Sequence, residues 1–261
     1  IGLGLFLGAF TLTFPFMKEW STIRFPGVLQ RIGLAFFFAA IIALNANWKI
    51  ILGIIAALLY GYFDLMVTVS LPDGSLPTLE RAPNNWAMYI DKLVLGSHTY
   101  KPDYDPEGLL STLPSIATAL LGVLAGRCVI WKNEGRTLRM AVWMVVAGIG
   151  LLAGGHLWDM VFPINKALWS SSFVLITAGW ALIMLGVIHY LTDEKGFDIG
   201  GTFSKVGANA LILYFLSSFT SKIFGITGIH AWLYQAIYVH EIMPPKLSSL
   251  LYGLSVSGYY V

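Results

Sequence analysis

The sequence predicts an all-α, polytopic helical integral membrane protein, and three observations carry that prediction. Hydrophobic residues make up 57% of the 261, charged residues only 11%, and the mean hydropathy is +0.73, well outside the range of soluble domains. Apolar runs of the roughly 18–25 residues needed to cross a bilayer core recur along nearly the whole length. These runs are continuous and rich in Leu, Ala, Ile and Gly rather than alternating, so helices, and not the strands of a barrel, are the spanning elements.

In chain order, helices are expected over about 1–17, 27–45, 48–70, 109–131, 140–161, 168–191, 203–224 and 246–261, giving about eight transmembrane helices in one domain covering 1–261. Because Ile1 and Val261 both lie inside apolar runs, the first and last helices are expected to be incomplete and the chain to be part of a longer protein. Pro26 suits a first helical turn, so the second segment starts there. The long connection at about 71–108 carries Pro, Gly, Asn and Asp as turn residues and is expected to be an ordered, outward-facing loop. "YDPEG" sets acidic groups before the helix that begins at about 109, where they meet the positive end of its dipole. "FPINK" makes a turn before the segment at 168. Gly4/Gly8, Gly122/Gly126 and Gly150/Gly154 have the small-xxx-small spacing that permits close helix approach.

Eight crossings put the loops near 46–49, 132–139 and 192–201 on one side, with Lys49, Arg127, Lys132, Arg136, Arg139 and Lys195. The excess of cations marks that side as cytoplasmic. The net charge of +2 and a pI near 8.6 suit such loops and give no argument for a nucleic-acid partner. A single cysteine, Cys128, excludes an internal disulfide. The five histidines, His98, His156, His189, His230 and His240, show no paired ligand spacing, so no metal is expected.

Polar residues inside such runs are the candidates for function. Arg24 and Arg31 flank a helix start, Arg31 about one turn inside with Gln30 beside it. A cation there opposes the helix dipole and needs a negative partner. Either Asp105 or Glu107 supplies it as a salt bridge, or the two arginines hold an anionic or polar ligand. The specific expectation is that Arg31 turns into the bundle within hydrogen-bond reach of Asp105 or Glu107, leaving Arg24 for ligand. Ser111, Thr112 and Ser115 would extend a polar pocket downward. Asn165 and Lys166 lie in the outward turn. Of Ser170, Ser171 and Ser172, which point in three directions around a helix, at least one should face protein. Asn209 should face the bundle, either pinning helices together or lining a cavity. His156 and Asp159, three apart on one helical face, form either an interfacial hydrogen bond or a proton relay.

Taken in order, "RFPGVLQRIGL", "YDPEGLLSTLPSIATALLGVLAG", "PINKALWSSSFVL" and "NALILYF" resemble the heparan-α-glucosaminide N-acetyltransferase family and its bacterial homologues, over most of the chain. The resemblance implies a membrane-bound acyltransferase that moves acetyl from acetyl-CoA to the amine of a glucosamine-type sugar. Some bacterial relatives carry the label of N-acetylglucosamine transporter, so a sugar permease is the alternative. The family's catalytic histidine belongs to a "WHG"-like motif that this chain lacks, so no histidine here takes that role and the catalytic residue stays unknown. The 261 residues alone are expected to be inactive. Substrate or cofactor contacts would come from Arg24, Gln30, Arg31, Asp105, Glu107, Ser111, Asn165, Lys166, Ser171 and Asn209. Arg127, Lys132, Arg136 and Arg139 either meet the coenzyme A phosphates or simply set topology. Acetyl-CoA is the expected co-substrate, and the partners are an amino sugar and the lipid bilayer, with a homodimer allowed and a bacterial inner membrane as location.

Overall fold

The computed structural model describes residues 23–130, 137–197, 200–238 and 244–259. They fall into two compact units, one ending at Phe197 and the other taking the chain from Asp198 onward. All regular structure among the described residues is helical, apart from one isolated bridge between Lys101 and Tyr104.

The first unit contains α1 (Val28–Asn45), α2 (Trp48–Val67), α3 (Trp86–Leu95), α4 (Thr112–Ile130), α5 (Thr137–Asp159) and α6 (Ser171–His189), the last prolonged by a π-turn over Tyr190–Glu194. α1 and α2 are separated by two residues, and Asn47 caps α2 by accepting from the amides of Lys49 and Ile50 at 3.0 Å. Both helices pack on α4. Ala35 and Ala39 of α1, Ile51, Ile55 and Leu59 of α2, Ile116, Ala117 and Leu120 of α4, and Val174 of α6 form one buried core. On α2 the buried residues Ile51, Ile55, Leu59, Tyr62 and Met66 recur every three or four positions, so a single stripe faces protein. The opposite faces show Phe36, Phe38, Leu44, Ile50 and Tyr60, a surface suited to acyl chains rather than water.

α5 and α6 pack closely because glycines remove side chains from their contact. A Cβ on Gly179 would lie 2.8 Å from the carbonyl oxygen of Gly148, and one on Gly148 would lie 2.8 Å from that of Gly179. Gly155 meets Ile176, and Gly186 meets Ala141 and Met144. The glycine pairs singled out by spacing are not these: Gly122, Gly126 and Gly150 face open space, and Gly154 makes only an ordinary contact with Leu175 at 3.8 Å. Gly4 and Gly8 lie outside the described residues. A cleft of about 720 Å³ opens between α4, α5 and α6, lined by Thr118, Gly122, Cys128, Trp143, Leu151 and Ala178 among others, and is almost wholly apolar.

The connection expected as a loop at about 71–108 contains the amphipathic α3. Asn85 caps it, accepting from the Met88 amide at 2.9 Å, and Gly96 ends it at φ +59°. Ala87, Met88 and Asp91 form its buried face, and Trp86 donates from Nε1 to the Val69 carbonyl at 2.8 Å.

The second unit contains α7 (Gly200–Ala208), α8 (Ala210–Ile226), α9 (Ile229–Leu233) with a π-turn over Tyr234–Tyr238, and α10 (Pro245–Tyr259). The segment expected as one helix over 203–224 breaks at Asn209, and the stretch between it and the segment expected at 246–261 contains α9. Ala210–Ile226 and Ile229–Tyr238 meet at 84°, with Gly228 at φ +73° in the bend. The rings of His230, Tyr234 and Tyr238 stand edge-on to Tyr252.

Five helices are long and apolar enough to cross a bilayer: α1, α2, α4, Leu138–Asp159 of α5, and Ser171–Glu194; the bent pair in the second unit would make a sixth. The count of eight is therefore not reached among the described residues. The first expected segment lies outside them, and α10, at 15 residues, is short of a crossing.

Candidate functional site

Alternating crossings bring the start of α1, the end of α2, the start of α4, the end of α5 and the start of α6 to one end of the first unit. Three long-range bonds tie this end together. The Tyr62 hydroxyl donates to the Leu168 carbonyl at 2.6 Å, the Ser171 hydroxyl to the Leu59 carbonyl at 2.7 Å, and the amide of Asn165 to the Leu79 carbonyl at 3.1 Å.

The residues before α1 are pinned by His98. Its ring stacks on Phe25 with centroids 4.0 Å apart, Nδ1 donates to the Ile23 carbonyl at 2.7 Å, and the Phe25 amide donates to the His98 carbonyl at 3.0 Å. Arg24 is thereby held against the "YDPEG" turn. Its Nε donates to Asp105 Oδ2 at 3.0 Å, its Nη2 to Asp105 Oδ1 at 2.5 Å, and Nη2 also to Glu107. Burial opposes the Arg24 charge, but the hydrogen bonds and charges of Asp105 and Glu107 outweigh it and raise its pKa. Asp105 accepts in addition from the amides of Tyr100 at 2.7 Å and Glu107 at 2.9 Å, so both its oxygens are fully engaged. Glu107 has Arg24 as its side-chain partner and keeps 17% of its side chain exposed.

The expected division between the two arginines is therefore reversed. Arg24 takes both carboxylates. Arg31 does turn into the bundle and is 5% exposed, but Nη2 bonds to the Ser111 hydroxyl and, at 3.3 Å, to the Gly108 carbonyl. The reason is reach. Arg24 lies in the extended segment fixed by His98 alongside the acidic turn, whereas Arg31, one helical turn further in, meets the level of Gly108 and Ser111. Its guanidinium carbon lies 4.9 Å from the centroid of the Trp169 ring. Nε and Nη1 of Arg31, and Oε1 of Gln30, are buried with no hydrogen-bond partner among the described residues.

Two residues that the sequence reading passed over complete the cluster. Trp169 has φ +54°, the only non-glycine with positive φ among the described residues, a costly conformation for a bulky side chain. Its Nε1 donates to Thr118 at 3.2 Å. Asp91 of α3 is 1% exposed and accepts from the Leu109 amide at 2.8 Å. Its carboxylate lies flat on Gly108, where a Cβ would stand 1.8 Å from Oδ2. Burial pushes the Asp91 pKa up to about 6; the charge on Asp105 adds to this, while the Leu109 amide and Arg31 oppose it. Only a three-dimensional contact could have revealed Asp91, but the unusual backbone at Trp169 is foreshadowed by the Pro-Ile-Asn turn just before it.

Of the remaining candidates, Ser111 donates to the Gly108 carbonyl at 3.1 Å besides accepting from Arg31. Asn165 accepts from the Ala167 amide at 2.8 Å within its own turn, and Ser170 caps α6. Ser172 donates to the Phe162 carbonyl at 2.6 Å, and with Ser170 and Ser171 also buried all three serines face protein. Lys166 stands exposed. Asn209, expected to face the bundle and either pin helices together or line a cavity, is exposed and donates its side-chain amide one turn back to the Lys205 carbonyl at 2.8 Å. His156 and Asp159 do not pair; Asp159 instead accepts from the Ile164 amide at 2.6 Å. At the other end of the first unit, Arg127 donates to the carbonyls of Ala43 at 2.5 Å and Ala46 at 3.3 Å, the favourable place for a cation at the end of α1. Lys132, Arg136 and His240 lie outside the described residues. Among the described residues, no group of three His, Cys, Asp or Glu is placed to hold a metal ion.

Apolar spans surrounding a cluster of buried, ionised side chains at one end define a multi-pass helical membrane protein with a polar site at the edge of its bundle. No protein-family profile matches the chain. It is 28% identical to human heparan-alpha-glucosaminide N-acetyltransferase and 30% identical to the mouse protein of that name. The chain is similar to both of these N-acetyltransferases over the aligned stretch. Each alignment takes in 75% of this chain and 37% of the relative, so the chain spans little more than a third of the length of the curated relatives it matches.

Proposed function

We propose that the whole protein is a membrane acetyltransferase that moves the acetyl group of acetyl-CoA to the amine of a glucosamine-type sugar. The observation that carries this reading is the similarity to two named N-acetyltransferases along three quarters of the chain, supported by the ionised cluster at the Arg24 end. In this reading the Arg127 end faces the cytoplasm. Asp105 is a structural anchor, since four donors already fill it. Glu107, with one side-chain partner and partial exposure, is the carboxylate that receives the sugar ammonium. The test is full-length protein in vesicles, given acetyl-CoA and glucosamine. Amine-dependent release of free thiol with formation of N-acetylglucosamine is expected, and Glu107→Gln should raise the KM for the amine. Uptake of intact sugar without thiol release would refute the reading in favour of transport.

A further inference from the structure

Two costly features meet at one contact. Arg31 keeps three N–H groups, one on Nε and two on Nη1, buried without an acceptor, and native structures retain such groups only for a reason. The ring it lies against belongs to Trp169, whose backbone is in the left-handed region, and strain of this kind gathers at ligand sites. The Trp169 turn is fixed from several sides: its own Nε1 by Thr118, the preceding carbonyl by Tyr62, and the Ser170 amide by the Asn165 carbonyl at 3.1 Å.

The kind of ligand follows from the charge around Arg31. Arg24 and Arg31 bring two positive charges, and Asp105, Glu107 and Asp91 bring three carboxylates to the same cluster, all three acting on Arg31. Arg31 is therefore short of hydrogen-bond acceptors and not of negative charge. An added anion would meet three carboxylates already in place, whereas an uncharged oxygen would fill the unmet donors without that repulsion.

We propose that Arg31, lying on Trp169, binds the uncharged carbonyl oxygen of the acetyl group in the bound substrate or product. This rests on the acetyltransferase reading for the identity of the ligand. The shared chemistry, an acetyl carbonyl, has two sources, the thioester of acetyl-CoA and the acetamide of N-acetylglucosamine.

The experiment compares acetylated and unacetylated ligands on full-length protein in detergent by calorimetry: acetyl-CoA against CoA, and N-acetylglucosamine against glucosamine. Arg31→Lys keeps the charge but loses the planar donor set. It should weaken an acetylated ligand by about tenfold, the scale of a lost charge-assisted hydrogen bond, and its unacetylated counterpart by less than about twofold. The source is whichever pair shows the difference. Trp169→Phe, which keeps a ring beneath the guanidinium, should show the same selectivity in weaker form. Sodium sulfate at matched ionic strength should not displace the acetylated ligand. Equal weakening of both members of each pair, no weakening, displacement by sulfate, or a parent protein that binds neither acetylated ligand would each overturn the proposal. Acetyl-selective binding that depends on Arg31, in a protein that transfers no acetyl group, would leave this inference standing while the proposed function fell.

Discussion

Gly108→Ala tests whether the acidic turn and α3 are locked together as described. The new methyl would stand 1.8 Å from Asp91 Oδ2 and 2.6 Å from Cγ, so the carboxylate must leave its place. Overpacking of this kind costs about 1–3 kcal/mol. Moving the carboxylate also breaks its bond to the Leu109 amide, a charge-assisted bond contributing about 1.5–3 kcal/mol. Restricting the unfolded chain returns about 0.4–1 kcal/mol, leaving a net loss of about 1.5–5.5 kcal/mol. The assay is the unfolding midpoint of full-length protein in detergent, with denaturant titration to convert it to free energy. An Asp91→Ala background removes the atoms in the way, so there Gly108→Ala should be neutral or stabilising by up to about 1 kcal/mol, as a double-mutant cycle would read it. Equal destabilisation in both backgrounds would refute the contact, and so would a Gly108→Ala protein as stable as its parent.

Asp91 also predicts a pH dependence. A carboxyl with a folded pKa of about 6 against an ordinary 3.8 holds its proton more tightly when folded, so its contribution to stability grows as pH falls through 6 and is complete below about 4, reaching about 3 kcal/mol at most. The parent should therefore gain more stability than Asp91→Asn between pH 7.5 and 5, and identical shifts would contradict the assignment. Arg24→Ala strands the fully buried side chain of Asp105 and should cost about 3–5 kcal/mol, with Asp105→Asn in the same protein recovering part of the loss; an unchanged midpoint would argue against the pair. For orientation, a cysteine placed at Asp73 in a Cys128→Ser background should react with an impermeant reagent only from outside, and one at Lys49 only from the cytoplasm; the opposite pattern would invert the proposed topology.

The spanning helices were legible because a bilayer demands long apolar runs, and α1, α2, α4, α5 and α6 sit within a few residues of the expected segments. α3 was not, because its ten residues are too few for periodicity to stand out; its signals were local, an Asn at the cap and a Gly past the end. The bend at Gly228 escaped for a related reason: hydropathy reports how long a run is and not whether it is straight. Spacing also picked the wrong glycines. Gly148 and Gly179 face each other across the α5–α6 contact, with Gly155 and Gly186, seven residues further along their helices, against Ile176 and Ala141, while a Cβ on Gly122, which lines the cleft, or on Gly126 would meet nothing within 4 Å. A small-xxx-small motif says that a close approach is allowed; which face of the helix has a neighbour is decided by tertiary packing.

At the site, the sequence brought Arg24, Arg31, Asp105, Glu107 and Ser111 to one end of the bundle but reversed the two arginines. The expectation weighed burial and the helix dipole, both of which call for a negative partner at the deeper cation. What decides the pairing is the route of the chain before α1. With Phe25 stacked on His98 and both backbones bonded across, Arg24 runs beside Tyr100 and the acidic turn, and its guanidinium lies over the Tyr100 ring at 4.8 Å. Asp105 is then saturated before Arg31 can compete for it. Arg31 has to make do with a hydroxyl, one backbone carbonyl and an aromatic face, partners that support its position without meeting its hydrogen-bonding capacity. The two arginines of one short motif thus divide by depth: the outer one completes a closed network, and the inner one is left with donors to spare. Substitutions should separate along the same line, with Arg24 changing stability most and Arg31→Lys changing ligand selectivity most.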